Sequence, residues 1–448
     1  MAQISFSQAR GEDKITFNFE CKADLESVSF GGTAAEGYIT IHHDYKPHTA
    51  FVAPHWAKGN TDFAPVGYVA GQKAQAAAVF NFACEKIAEN KVFAKGTGSN
   101  GIEFEAQSLY FTGTKGNYAM KMATTAFTAN MVDYFAKFQI KWQVKIGNNG
   151  TWQDAGTSEN PMYVPLSQLD GCNLVDGNSV YYSVIHYACK PAKGLSDLDQ
   201  ITSAIFTAFQ TKNVPRIDKP SIGAMMYWGI KNTNPSANPI QCRGLSGLLD
   251  DEDCRCGEWA SFYQYCLALH KIKGCRGSIF AKPLANNSTG QALLNQFSNA
   301  YKNTFNVLPP PYPTVTASNF LVKNWATLTN NTLYVSSGSW PYQNIPAPYI
   351  APNGSIIPIG DLFGAKAQGM DNPESAFGDH VVVCINDKIY DPSYGTGVFN
   401  GVNDWETNSL AAHAVYSEYT NSNIETVYLV WVYEQELPNV NQTQYSCK

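Results

Sequence analysis

The sequence predicts a multidomain protein in which an all-β sandwich of immunoglobulin-like kind is followed by an α+β domain. Three observations lead there. Apolar and polar residues alternate along much of the first half, the period of a half-buried strand. The character changes near Pro191–Leu198, beyond which helical and strand patterns mix. The length of 448 residues exceeds one ordinary domain. The boundaries that follow are 1–190 for a β-rich region of one or two modules and 191–448 for the second domain.

In the first region, Lys14–Glu20 and Phe138–Ile146 alternate apolar with polar positions, so each is expected to turn one face to a core. Gly147-Asn148-Asn149-Gly150 holds an Asn-Gly step that tolerates positive φ and predicts a tight hairpin into Trp152. Met162-Tyr163-Val164 reads as a further short strand. The Ala-rich stretch 71–90 interrupts the pattern and is expected to be helical. In the second region, Ser196 or Asp197 is placed to cap a helix over Leu198–Gln210, whose Ile201, Ala204, Ile205 and Phe209 share one face. Pro-rich stretches at 307–313 and 346–358 predict loops, and Thr426–Val432 predicts a last buried strand.

Charged residues form 15% of the chain, against a usual share of about a quarter, while hydrophobic residues reach 44% and aromatics 13%, a composition that excludes charge-driven disorder. The net charge of −6 supplies no basic field for a phosphate backbone or an anionic membrane, so neither nucleic acid nor membrane is expected as a partner. The longest apolar run, Ala74–Ala83, is short of a membrane span and is broken by Gln75 and Asn81, so the chain is expected to be soluble. Arg10, Glu12, Asp13 and Lys14 leave no apolar core for a secretory signal at the N-terminus.

Eleven cysteines are an odd number, so at least one stands outside any disulfide, and they are too dilute to form a disulfide scaffold. Five of them fall between Cys242 and Cys275. Within that window Cys256 opens a segment in which Trp259, Phe262, Tyr263, Cys266 and Leu269 recur at helical spacing, with Gly274 as the expected stop. A residue in the first helical turn meets unpaired N–H groups and the positive end of the dipole, a setting that favours an anionic nucleophile. The acidic run Asp250–Asp253 opposes it unless it faces water or caps the helix, the role expected of Asp253, and Arg255 offsets part of the charge. Further on, Asp379–Ile385 and Lys388–Asp391 flank Asn386-Asp387 as a hairpin, which is expected to set His380 opposite Asp391. A cysteine needs a base, and the base needs a third group to fix its tautomer; Cys256, His380 and Asp391 supply that set.

Arg255-Cys256-Gly257-Glu258-Trp259-Ala260 resembles the nucleophile motif of the transglutaminase-like cysteine enzymes, in particular that of the peptide N-glycanase branch. His380 with its strand, followed by Tyr390-Asp391-Pro392, is similar to the His and Asp motifs of the same superfamily, in the same order. The resemblance covers about residues 196–438 and implies a transglutaminase-like domain with a papain-like core. It also implies an oxyanion hole built from the Cys256 N–H and a side-chain donor, for which Trp228 is the candidate. The first half is similar to the β-rich module that precedes this domain in some bacterial proteins. The long interval between Cys256 and His380 departs from compact relatives and suggests an insertion near Asn286–Gly378 that covers or shapes the cleft. The zinc-binding CxxC pairs of the glycanases and the calcium loop of animal transglutaminases are absent from the sequence.

Metal binding is the rival reading of the cysteine window: Cys254, Cys256, Cys266 and His270, with Cys242 or Cys275, offer ligands at spacings that lack paired C-x2-C knuckles. Cys254 is otherwise a spectator or a disulfide partner of Cys242 or Cys275. His42, His43, His48 and His55 also invite a metal, but adjacent residues of a strand point to opposite faces. His186, His270 and His413 lack motif context and read as packing or surface residues. The expected function is a cofactor-free, metal-free cysteine peptidase or amidase acting on protein or peptide amides. The alternatives are a protein-glutamine crosslinking or deamidating enzyme, or a catalytically silent binding protein.

Overall fold

A computed structural model describes in full residues 21–84, 91–169, 179–218, 223–227, 244–280, 366–370 and 379–409, with the backbone of strands beyond them. The chain divides into two compact units, Met1–Ala204 with Cys266–Ile272, and Ile205–Tyr265 with Lys273–Lys448.

Besides a short pair at Ile4–Ser5 and Thr16–Phe17, the strands of the first unit are β1 (Lys22–Phe30), β2 (Tyr38–His42), β3 (Trp56–Ala57), β4 (Val66–Tyr68), β5 (Gln75–Ala83), β6 (Val92–Gly98), β7 (Glu103–Ser108), β8 (Tyr110–Thr112), β9 (Lys115–Met122), β10 (Asp133–Ile146), β11 (Gln153–Val164) and β12 (Ser179–Tyr181). They form a five-stranded sheet in the order β8-β9-β5-β1-β3 and a seven-stranded sheet in the order β12-β2-β4-β11-β10-β6-β7. Both faces of one hydrophobic core are supplied by these sheets, the layering of a β-sandwich. Alternation along β10 buries Phe138, Ile140, Trp142 and Val144. The Trp142 ring meets Phe80, Phe104 and Tyr118 at 5.9, 6.0 and 5.4 Å, and its Nε1–H donates to Ser158 Oγ at 3.2 Å. A Cys21–Cys84 disulfide joins the start of β1 to the end of β5.

Two local expectations are corrected here. In the Ala-rich stretch 71–90, residues 75–83 form not a helix but strand β5, central in its sheet, with Ala76, Ala78, Phe80 and Phe82 buried, and 85–90 lie outside the described residues. Its alternation outweighs the helix propensity of alanine once β1 and β9 pair on either side. Met162–Val164 is the end of the long β11 rather than a separate strand, and in the β10–β11 connection the positive φ falls on Gly147, at 72°.

Helix α1 (Tyr182–Cys189) follows β12; Asp44 accepts from the Ser183 N–H at 2.8 Å and from its hydroxyl at 2.6 Å, satisfying donors in the first turn. Helix α2 (Leu198–Gln210) has the bounds expected from sequence, and Asp197 Oδ1 caps it through the Gln200 N–H at 2.9 Å.

In the second unit, β13 (Met226–Tyr227) runs parallel to β14 (Asp253–Cys254), between which lies α3 (Leu245–Asp251). Helix α4 (Cys256–Ala268) follows, and then an antiparallel five-stranded sheet. Its strands are β15 (Cys275–Ala281), β16 (Asp379–Ile385), β17 (Lys388–Asp391), β18 (Thr396–Phe399) and β19 (Thr443–Cys447), in the order β18-β17-β16-β15-β19. Helix α5 (Val402–Ser409) follows β18. A four-stranded sheet joins Ala376–Phe377, Thr316–Val322, Leu410–Asn421 and Ile424–Tyr433; the last contains the expected strand Thr426–Val432, which is not the final one because β19 follows it. Trp228, Cys242, the stretch 307–313, most of 286–378 and most of the first twenty residues lie outside the described residues. Among the described residues no helix is long and apolar enough to cross a membrane.

Candidate active site

Cys256 is the first residue of α4 and is buried. The helix is fixed by its apolar face: Trp259, Phe262 and Tyr263 pack on Phe209 with ring centroids 6.3, 5.4 and 5.4 Å apart. It ends at Ala268, short of Gly274, because the chain leaves the helical region at Lys271, with φ 61°. Asp253, the expected cap, lies in β14, where it pairs with Met226 of β13. Glu252 is held by Arg216, 2.8 Å away, so part of the acidic run is neutralised by a buried cation. Gly257 leaves room for Arg276, whose guanidinium would lie 2.8 Å from a Cβ at that position. Burial raises the pKa of Glu258, against the backbone hydrogen bond and the charges of Arg276 and Arg255 that lower it.

His380 lies on β16, the central strand of its sheet, and is fully buried. Its Nε2–H donates to Asp391 Oδ2 at 2.8 Å. The two residues are not directly opposite, as the hairpin suggested. Val383 pairs with Tyr390, so Asp391 lies across from Val382 and reaches His380 along the diagonal of the same face. A register shift between Tyr390 and Asp391 in the pairing with β18 accompanies this, a bulge of the kind that re-aims a side chain. The remaining carboxylate oxygen, Oδ1, accepts from Ser393 Oγ at 2.8 Å and from the Tyr394 N–H at 3.2 Å. Trp405, on α5, stacks on the imidazole at 5.9 Å and 17°, and Tyr394 flanks it at 5.5 Å.

Electrostatics tie the three residues together. Burial works against a charged His380, but the charge and hydrogen bond of Asp391 and the hydrogen bond and charge of Cys256 overcome it and raise the pKa to about 10. Burial likewise works against the Asp391 carboxylate, yet His380, Ser393 and the Tyr394 N–H bring its pKa below the usual value. Lys212 also feels this carboxylate; its own pKa is lowered by burial, with Asp391 opposing and Lys366 adding. The structure thus brings Cys256, His380 and Asp391 into one electrostatically coupled set.

The residues that steady the set were not singled out from sequence. Asp391-Pro392-Ser393-Tyr394 is a short Asp-initiated turn, a local signal that points to Ser393. Gln368 and Trp405 carry no such signal. Gln368 Nε2 donates to the carbonyls of Phe209 and Pro392 at 2.6 and 2.8 Å, and its N–H to Ser393 at 3.0 Å, which anchors the chain just beyond Asp391.

The rival ligand sets are engaged otherwise. Cys254 and Cys275 are in disulfides. Cys266 Sγ faces the Val184 carbonyl at 3.5 Å. His270 donates from Nε2 to the Ala188 carbonyl at 3.0 Å and accepts the Leu166 N–H at Nδ1. His42 meets the His48 carbonyl and Ser179, His43 stacks on Phe51, and His55 is buried with Phe30 and Tyr38. Among the described residues no group of three His, Cys, Asp or Glu side chains is placed to hold a metal. The chain matches no protein-family model and no curated protein.

Proposed function

We propose that this protein is a thiol-dependent acyl-transfer enzyme, a cysteine peptidase or amidase acting on protein or peptide substrates, with Cys256 as nucleophile, His380 as base and Asp391 as the group that orients it. The observation that carries the reading is the buried His380–Asp391 pair, joined at 2.8 Å, together with the electrostatic coupling of His380 to Cys256, which brings a hairpin and a helix start from two separate stretches of sequence into one set. The resemblance of the Cys256 motif to transglutaminase-like enzymes supports it and extends it to a papain-like core behind an immunoglobulin-like region.

In this reading Cys256 Sγ, its proton held by His380 Nδ1, attacks the substrate carbonyl carbon. The tetrahedral oxyanion would be met by the Cys256 N–H at the start of α4 and by Trp228 as second donor. His380 passes its proton to the leaving amine, an acyl-thioester remains, and water attacks it with His380 again taking the proton. Asp391 holds the imidazole by Nε2 throughout, and Ser393 and Tyr394 hold Asp391.

The test incubates the protein with a mixed protein substrate and follows peptide release, ammonia release and amine incorporation together. Peptide release without amine incorporation is the expected result, abolished in Cys256→Ala. Ammonia release or amine incorporation as the main product replaces hydrolysis by deamidation or crosslinking. Activity unchanged in Cys256→Ala, or no product together with no selective iodoacetamide labelling of Cys256, leaves a binding role instead.

A further inference from the structure

The five-stranded sheet of the second unit borders a cavity of about 550 Å³ that none of Cys256, His380 and Asp391 lines. Small-molecule sites span about 300–1,000 Å³, so this one has room for a ligand. Its lining includes Lys273 just before β15, the Asn386-Asp387 turn between β16 and β17, Ile389 on β17, and Gly401 and Val402 at the start of α5. Lys273, Asn386 and Asp387 are exposed, whereas Ile389 is buried. Among the described residues none of the three polar side chains makes an ion pair or a side-chain hydrogen bond. That is unlike the lysines of the first unit, where Lys115, Lys121 and Lys141 each hold a carboxylate, of Glu26, Glu105 and Asp154. Here a cation and a carboxylate share one cavity without neutralising each other.

We propose that this cavity binds a short peptide with free ends, independently of the Cys256 chemistry. The Lys273 ammonium takes the peptide carboxylate and Asp387 takes its ammonium, each through a charge-assisted hydrogen bond. Ile389 and Val402 receive an apolar side chain, and Asn386 can donate to or accept from the peptide bond between the two ends. The ligand class follows from the pairing of charges. An anion alone would leave Asp387 facing it, and a cation alone would meet Lys273; only a body that carries both signs at its ends answers both groups. A single amino acid carries both as well, but would leave most of the volume unfilled, whereas a dipeptide spaces the two charges and brings its own apolar side chains.

The test titrates leucylleucine, its N-acetyl form and its amide into Cys256→Ala protein by calorimetry, so that turnover by that thiol does not intervene. Saturable binding of leucylleucine is expected, weakened about tenfold by adding Lys273→Met or Asp387→Asn. The N-acetyl form, which lacks the ammonium, should respond to Lys273→Met alone. The amide, which lacks the carboxylate, should respond to Asp387→Asn alone. Both positions are exposed, and Asn accepts the φ of 62° at residue 387, so the variants keep the fold. A measurement that needs no variant is hydrogen exchange of the wild type, in which leucylleucine should protect residues 386–389. The proposal is overturned by the absence of saturable binding, by binding that neither substitution changes, by leucine binding as tightly as the dipeptide, or by no protection of that turn.

Discussion

The two units bury histidine in opposite charge states. In the first, His55 accepts the Phe30 N–H at Nδ1 and shares a contact with the Tyr38 hydroxyl at Nε2, while His186 meets the Tyr163 hydroxyl and His270 is set between a carbonyl and an N–H. None of these partners is a carboxylate, so burial dominates and lowers the pKa of His55 and His270 to about 4 and of His186 to about 3. In the second, His380 is buried as completely, but Asp391 and Cys256 hold its charge and raise it to about 10. The same side chain is a neutral packing group in one unit and a charged, carboxylate-paired group in the other. Burial alone does not set the charge of a histidine; the partner does.

The largest expected separation comes from removing each kind of histidine. His380→Ala takes the proposed base away and leaves a buried carboxylate without its counter-charge. We expect activity to fall by roughly 10³–10⁴-fold and stability to fall by about 3–5 kcal/mol. His55→Ala strands one buried N–H and should cost about 1–3 kcal/mol, with activity intact. Denaturant unfolding and turnover of both variants check this; equal stability losses with equal activities would erase the distinction.

Asp391→Asn keeps the shape but changes what His380 Nε2 meets, so turnover is expected to drop by about 10²–10⁴-fold with substrate binding little changed. A KM rise at constant kcat would place Asp391 in substrate binding instead.

The pH dependence of stability should separate the units by sign. The neutral histidines of the first unit bind fewer protons than the unfolded chain below pH 6.5, so its stability is full above that value and is lost as pH falls toward 4. His380 binds its proton more tightly folded than unfolded, so its contribution is full below pH 6.5 and is lost as pH rises through about 10. The lowered Asp391 adds stability above its ordinary pKa of 3.8 that is lost as pH falls below that value. Hydrogen exchange read separately in residues 21–84 and 379–409 should show loosening on the acid side in the former and the alkaline side in the latter. The same limb in both would contradict the assignment.

The smallest effect is expected from Ser393→Ala, which removes one hydrogen bond to Asp391 Oδ1 while the Tyr394 N–H remains. About 0.5–1.5 kcal/mol of stability is at stake, with a shift of the pH–rate profile larger than the change in maximal rate. A profile identical to wild type would remove Ser393 from the positioning of Asp391.

Much of the candidate site was legible in the sequence, because its determinants are local. The helical spacing of Trp259, Phe262 and Tyr263 sets Cys256 at a helix start, and the apolar runs around Asn386-Asp387 define the hairpin, whose turn residues have φ of 49° and 62°. Less legible was whatever depends on a neighbour distant along the chain. Residues 75–83 read as helix from composition and became a central strand because two other strands pair with them. The pairing of Asp253 with β13 likewise had no local signal.

The sequence by itself determined the β-rich first half, the bounds of α2, the helix opening at Cys256 and the hairpin bearing His380 and Asp391, since periodicity and turn chemistry act over a few residues. Only the tertiary structure decided the diagonal contact of His380 with Asp391, the stacking of Trp405, the anchoring by Gln368 and the pairing of Cys275 with Cys384. It also decided the charge state of each buried histidine. That state depends on which partner folding brings within hydrogen-bond reach in a low-dielectric interior, and no stretch of sequence encodes that partner locally.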